Sequence, residues 1–140
     1  MRRSILLCLA LVALPACPGS LEDPGRFAGQ FGGGGAGGCP DVPVFFQTTC
    51  AGASCHNATS PANMLDLASP DVAARLSNKM ATGGPGLLID PAHPEASVLY
   101  TKLTASPPFG SRMPLTGGPL DDTTVECVLT WIQTSTKGSP

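Results

Sequence analysis

Two thiols and an imidazole fall within Cys50-Ala51-Gly52-Ala53-Ser54-Cys55-His56, in a chain with only six cysteines and two histidines. Each cysteine can form a thioether with a porphyrin vinyl group, and a histidine directly after the second cysteine can become an axial ligand to the iron. The usual attachment motif has two residues between its cysteines. Here Ala51, Gly52, Ala53 and Ser54 make four. A second axial ligand is available in Met113, within Ser111-Arg112-Met113-Pro114-Leu115. A thioether is a soft, neutral donor, and opposite histidine it raises the potential of haem iron. Pro114 fixes the backbone after Met113, which suits a loop that must hold one sulfur in place. A gap-filling core methionine would look the same in isolation. The Cys-His pair at the other end of the domain turns the reading toward a ligand.

The remaining candidates are weaker. His93 stands alone in a Pro-rich turn, where a solvent-facing or capping role accounts for it. Zinc needs four ligands, or three plus water, and only Cys50, Cys55 and His56 cluster, at a spacing that matches no familiar zinc module. Arg112 could pair with a carboxylate of a bound group, since guanidinium binds carboxylates bidentately, or be a solvated charge. Asn57-Ala58-Thr59 has the form of a glycosylation acceptor. No arrangement of Ser, His and Asp, of Cys, His and Asn, or of paired carboxylates has support, so no hydrolytic activity is expected.

The first residues predict export. Arg2 and Arg3 precede an apolar run from Ile5 to Leu14 that is too short to span a bilayer. It ends in Leu14-Pro15-Ala16-Cys17, small residues before a cysteine as in a bacterial lipobox, so residues 1–16 read as a signal peptide and Cys17 as a lipidated N-terminus. Ordinary cleavage near Ala16 is the plainer alternative. Loss of Arg2 and Arg3 leaves six cationic against ten acidic side chains, taking the formal charge from −2 to −4. A mildly acidic chain with no basic run argues against nucleic acid as a partner. An exported chain meets an oxidising compartment. With Cys8 removed and Cys17 lipidated, Cys39, Cys50, Cys55 and Cys127 remain. Two could hold a haem and two form a disulfide, or all four could form two disulfides.

Residues 17–38 read as a tether, rich in Gly and Pro and poor in anything that could be buried. The elements that must position the chemistry lie in 39–137. Asp41 can cap a helix with Val42 first and Pro43 in its first turn, running out into Cys50–His56. Ser69-Pro70-Asp71 predicts a second helix to about Met80, and Gly83-Gly84-Pro85-Gly86 must break it. A third is expected from Glu95 to about Thr104, where Leu99 and Leu103 repeat at i, i+4. Asp121 and Asp122 start the clearest helix, with Val125, Val128, Leu129 and Ile132 on one face. There is no alternating strand pattern, so the class is all-α. A domain under a hundred residues with so few aromatics is short of buried surface and needs a staple, which either a haem or disulfides would supply.

In order, the chain runs helix, Cys…Cys-His, helices, Met-Pro loop, amphipathic helix. It resembles the c-type cytochrome domain, in particular the cytochrome-c-like modules of exported planctomycete and myxobacterial proteins. The residues that carry the resemblance are Cys55-His56, Leu65-Asp66-Leu67, Pro91-Ala92-His93-Pro94-Glu95-Ala96-Ser97-Val98-Leu99-Tyr100 with Lys102, Arg112-Met113-Pro114, and Leu120 through Trp131-Ile132. The resemblance implies a small bundle of four to five short helices with long loops around one covalently attached haem c. It implies thioethers at Cys50 and Cys55, His56 as the proximal and Met113 as the distal iron ligand. It also implies that the first and last helices cross. That crossing would bring Cys39 and Cys127 into disulfide range, closing a loop worth roughly 4 kcal/mol in the chain-entropy model.

The expected function is then that of a lipid-anchored, mono-haem electron carrier of the cell envelope. It would exchange electrons with redox protein partners and touch the membrane only through its anchor. A haem-free module is the alternative, with a Cys50–Cys55 disulfide and a binding or structural role. A weaker third is a small peroxidase or sensor with Met113 displaced from the iron.

Overall fold

The computed structural model describes residues 38–137. The expected signal peptide, Cys17 and the tether up to residue 37 lie outside the described residues. Within them the chain is helical, with four α-helices joined by long loops and no strand beyond two isolated bridges. Helix α1 spans Val42–Phe45, α2 Val72–Leu76, α3 Val98–Thr101 and α4 Asp122–Ser135. None of these is long and apolar enough to cross a membrane.

Helix α1 starts where its cap dictates. The Asp41 carboxylate accepts a hydrogen bond from the Val44 N–H at 3.0 Å, and Pro43 occupies the first turn, where no N–H is needed. It continues as one π-helical turn, Phe46–Cys50. Here Thr48 turns its hydroxyl back onto the Val44 and Phe45 carbonyls, a bond that competes with helical geometry. Val42 and Phe46, four residues apart, are both buried.

They pack against α4. That helix is capped by Asp121, which accepts from the Thr124 N–H and hydroxyl, and it buries Val125, Val128, Leu129 and Ile132. Phe46 meets Trp131 edge-on, at 5.5 Å between centroids. A Cys39–Cys127 disulfide, with Cα atoms 5.5 Å apart, joins the start of α1 to the middle of α4. The segment around the first helix is therefore joined to the last by a disulfide, an edge-on aromatic contact and apolar packing.

The middle of the chain departs from the local signals in two places. Helix α2 begins at Val72, not Pro70, after Asp71 in a left-handed conformation (φ 58°) that caps nothing with its side chain. The carbonyls of Asp66, Ser69 and Pro70 are drawn instead to the Arg75 guanidinium, which prevents Ser69 from opening a helix. It ends at Leu76, short of Met80, because Ser77 to Ala81 pair with Gly86 to Ile89 through the Asn78, Ala81 and Leu88 N–H groups.

The third expected helix is broken. Pro94–Ala96 form a 3₁₀ turn, Ser97 is extended (ψ 129°), and α3 starts at Val98. The Val98 and Leu99 N–H groups reach out to the Leu87 and Leu88 carbonyls, at 2.8 and 3.1 Å, and the buried Ser97 hydroxyl accepts from the Asp90 N–H. The half-buried carbonyls of Leu87 and Leu88 need partners, and α3 supplies them at the cost of its first turn. Ile89, Leu99 and Leu103 then complete the core with Val128 and Ile132.

Candidate functional site

The four residues between Cys50 and Cys55 form a closed loop. The Cys55 N–H donates to the Gly52 carbonyl at 2.9 Å, and the His56 N–H donates back to the Cys50 carbonyl at 3.0 Å. The extra length is thus folded out, and His56 returns to the backbone of Cys50. Asn57 stitches the loop from outside: its side-chain N–H₂ donates to the Gly52 and Ala53 carbonyls, and its Oδ1 accepts from Thr59 and Ser60. Read as a glycosylation acceptor in the sequence, Asn57 has its side-chain amide engaged in this loop. Asn57 thus acts as a turn-forming residue of this loop.

Cys50 ends the π-helical turn and packs half-buried on the core, whereas Cys55 is exposed. Both thiols are free of disulfide. Burial, and secondarily the neighbouring Cys55, pushes the Cys50 thiol up to about 11. Cys50 is therefore a neutral thiol at ordinary pH. His56 is fixed through its backbone on both sides, since its carbonyl accepts from the Leu67 N–H at 2.8 Å. Its ring nitrogen Nδ1 is fully buried and has no hydrogen-bond partner. A buried polar atom left unpaired costs roughly 1–3 kcal/mol.

Met113 lies in the loop before α4 and packs on the same core as Cys50. Its N–H donates to the Lys102 carbonyl at 2.8 Å, and the bond to Pro114 is cis. Leu65, Tyr100 and Leu120 also pack on this core without being fully covered.

The Arg112 guanidinium is not a free solvated charge but is engaged with backbone carbonyls. Its Nε donates to the Leu103 carbonyl at 2.6 Å and its Nη2 to that of Leu120 at 3.4 Å. His93 is 70 % exposed and sits 3.6 Å from Asp90, whose carboxylate also accepts from the His93 and Ala92 N–H groups. Among the described residues no group of three or more His, Cys, Asp or Glu side chains is placed to hold a metal ion. Cys50, Cys55 and His56 are thus neighbours in one loop without forming a protein-only cage. Cys39 and Cys127 are consumed in the disulfide.

No family model, curated protein or solved structure matches the chain.

Proposed function

We propose that this chain is a mono-haem c-type cytochrome that carries electrons in the cell envelope, anchored by lipid at Cys17. One observation carries the reading. Two unbonded thiols stand beside a histidine with a buried, unpartnered ring nitrogen, while the other two described cysteines are already joined to each other. That donor set fits a group that takes two thioethers and one imidazole. Cys50 and Cys55 would hold the vinyl-derived carbons, His56 the proximal and Met113 the distal side of the iron. When bound, the haem supplies one-electron redox chemistry.

The protein's own contribution is to keep the ligands still. The backbone of His56 is held between Cys50 and Leu67, and that of Met113 on Lys102. Apolar surface at Leu65, Tyr100 and Leu120 would exclude water from a bound ring. Such a protein turns over no substrate of its own and works through redox protein partners.

The test is to express the full chain in a bacterial host with haem-attachment machinery. The reading expects a coloured, low-spin product whose haem survives denaturation, and whose mass lacks it in Cys50→Ser/Cys55→Ser. A colourless product with Cys50 bonded to Cys55 would overturn it in favour of a haem-free, disulfide-stapled surface module. The nearness of the two thiols is what that second reading draws on.

A further inference from the structure

The loop that carries Met113 is hung on two consecutive residues at the end of α3. The Lys102 carbonyl accepts from the Met113 N–H at 2.8 Å. The Lys102 ammonium, at the other end of the same residue, donates to the Phe109 carbonyl at 2.6 Å and to that of Ser111, and lies 4.8 Å from the centroid of the Phe109 ring. Leu103 accepts from the Arg112 guanidinium. Phe109 is wedged in turn on Gly84, where a Cβ would collide with its ring. One side chain thus gathers the carbonyls of residues 109 and 111 while its own backbone holds residue 113.

Two carbonyls and an aromatic face around one ammonium form a cation site that the loop cannot rebuild without the lysine. Removing that charge leaves two carbonyls to find water and frees the chain just before Met113. The backbone bond from Met113 to Lys102 would remain, but with no side-chain clamp to keep its angle.

We propose that Lys102 is a positioning residue that fixes the Met113 thioether for iron ligation, an inference that rests on the haem-carrying reading above. Its ammonium is spent on the Phe109 and Ser111 carbonyls, so it would act through Met113. A residue that only stabilised the fold would shift the unfolding midpoint and leave the sixth coordination position as it was.

The experiment measures exogenous imidazole binding to the ferric haem-loaded protein, well below its unfolding temperature, in wild type, Lys102→Met, Met113→Ala and the double variant. Lys102→Met keeps the apolar stem and loses the donors. It should keep covalent haem yet bind imidazole about tenfold more tightly, the effect of losing one or two clamp hydrogen bonds. It should also weaken the sulfur–iron absorption. In the Met113→Ala background the same substitution should change nothing, since there is no thioether left to position. Lys102→Arg should restore most of the wild-type behaviour. Should Lys102→Met fail to fold, Lys102→Gln, which keeps a donor and the stem, is read in the same way with a smaller effect.

Imidazole affinity unchanged by Lys102→Met in a coloured protein overturns the positioning role alone. So does an equal effect with and without Met113. A wild-type chain that takes up no haem overturns the haem-carrying reading, and this inference with it.

Discussion

The two ends of the candidate site are held in place by opposite means. The loop from Cys50 to His56 is fixed by local backbone bonds and by the uncharged Asn57 side chain, and the helix that feeds it is tied to α4 by a disulfide and an aromatic contact. The loop from Phe109 to Met113 has no covalent tie and little local backbone bonding. It hangs on two cations, Lys102 and Arg112, whose charged groups collect carbonyls seven to nine residues away. The difference matches what each loop is asked to do in the proposed carrier. A segment that must present two thiols to a covalent reaction has to be in register along its own backbone. A segment that must bring one soft donor to a position set elsewhere needs only to be held at a distance. Clamping by long cationic side chains would do that.

The disulfide is the largest single element on one side of this comparison. Replacing both Cys39 and Cys127 by serine should lower the unfolding free energy by roughly 4 kcal/mol, because a long unfolded loop is no longer closed. Urea unfolding followed by Trp131 fluorescence measures it. A loss under about 1 kcal/mol would mean that apolar packing of α1 on α4 already suffices, and that the two loops are less unequally held than described.

Arg112 tests the other side. Arg112→Met keeps the apolar stem and strands the Leu103 and Leu120 carbonyls. The expected loss is about 1.5–3 kcal/mol for bonds from a charged donor. The sharper readout is local. Amide hydrogen exchange should quicken at Met113 while the His56 and Leu67 N–H groups keep their wild-type rates. Equal quickening at all three would show that the two loops move as one body, against the comparison drawn here.

The caps and periodicity of the first and last helices carried through to the structure, and so did the Cys39–Cys127 bond across 88 residues, whereas the helix bounds in the middle of the chain did not. Asp41 and Asp121 cap the helices that follow them because a carboxylate and an N–H three residues on need nothing else. The apolar face of α4 follows from its own periodicity. Pro70 looked equally like a helix start, yet Arg75 claims the carbonyls around it. The continuous pattern from Glu95 to Thr104 is interrupted at Ser97 only because Leu87 and Leu88, a turn of chain away, need donors. In the site the thiols, the imidazole and the methionine were legible as residue types. The groups that hold them were not, for Asn57, Lys102 and Arg112 all act on backbone carbonyls, which leave no mark in the sequence.

The loop from Cys50 to His56 has one further support, and it gives the smallest and most conditional effect. Leu67 holds the His56 carbonyl, and the residue before it, Asp66, forms a tight turn in which its carboxylate accepts from the Ala68 and Ser69 N–H groups and lies 3.7 Å from Arg75. The Ser69 hydroxyl first, then these N–H groups and the Arg75 charge, hold the Asp66 carboxyl below its ordinary 3.8. Because the folded value lies below the unfolded one, the contribution is fully present above the ordinary carboxylate range. It disappears as the pH falls through the folded value. Asp66→Asn keeps an oxygen for the turn and removes the charge. It should therefore cost under about 1 kcal/mol at neutral pH, as a partly exposed ion pair would. In acid, where the wild-type carboxyl is itself protonated, the difference should vanish. Unfolding curves of the two proteins across the acid range decide the matter. A difference that persists at the acid end would place the role of Asp66 in the shape of its turn, and the loop from Cys50 to His56 would then owe nothing to charge.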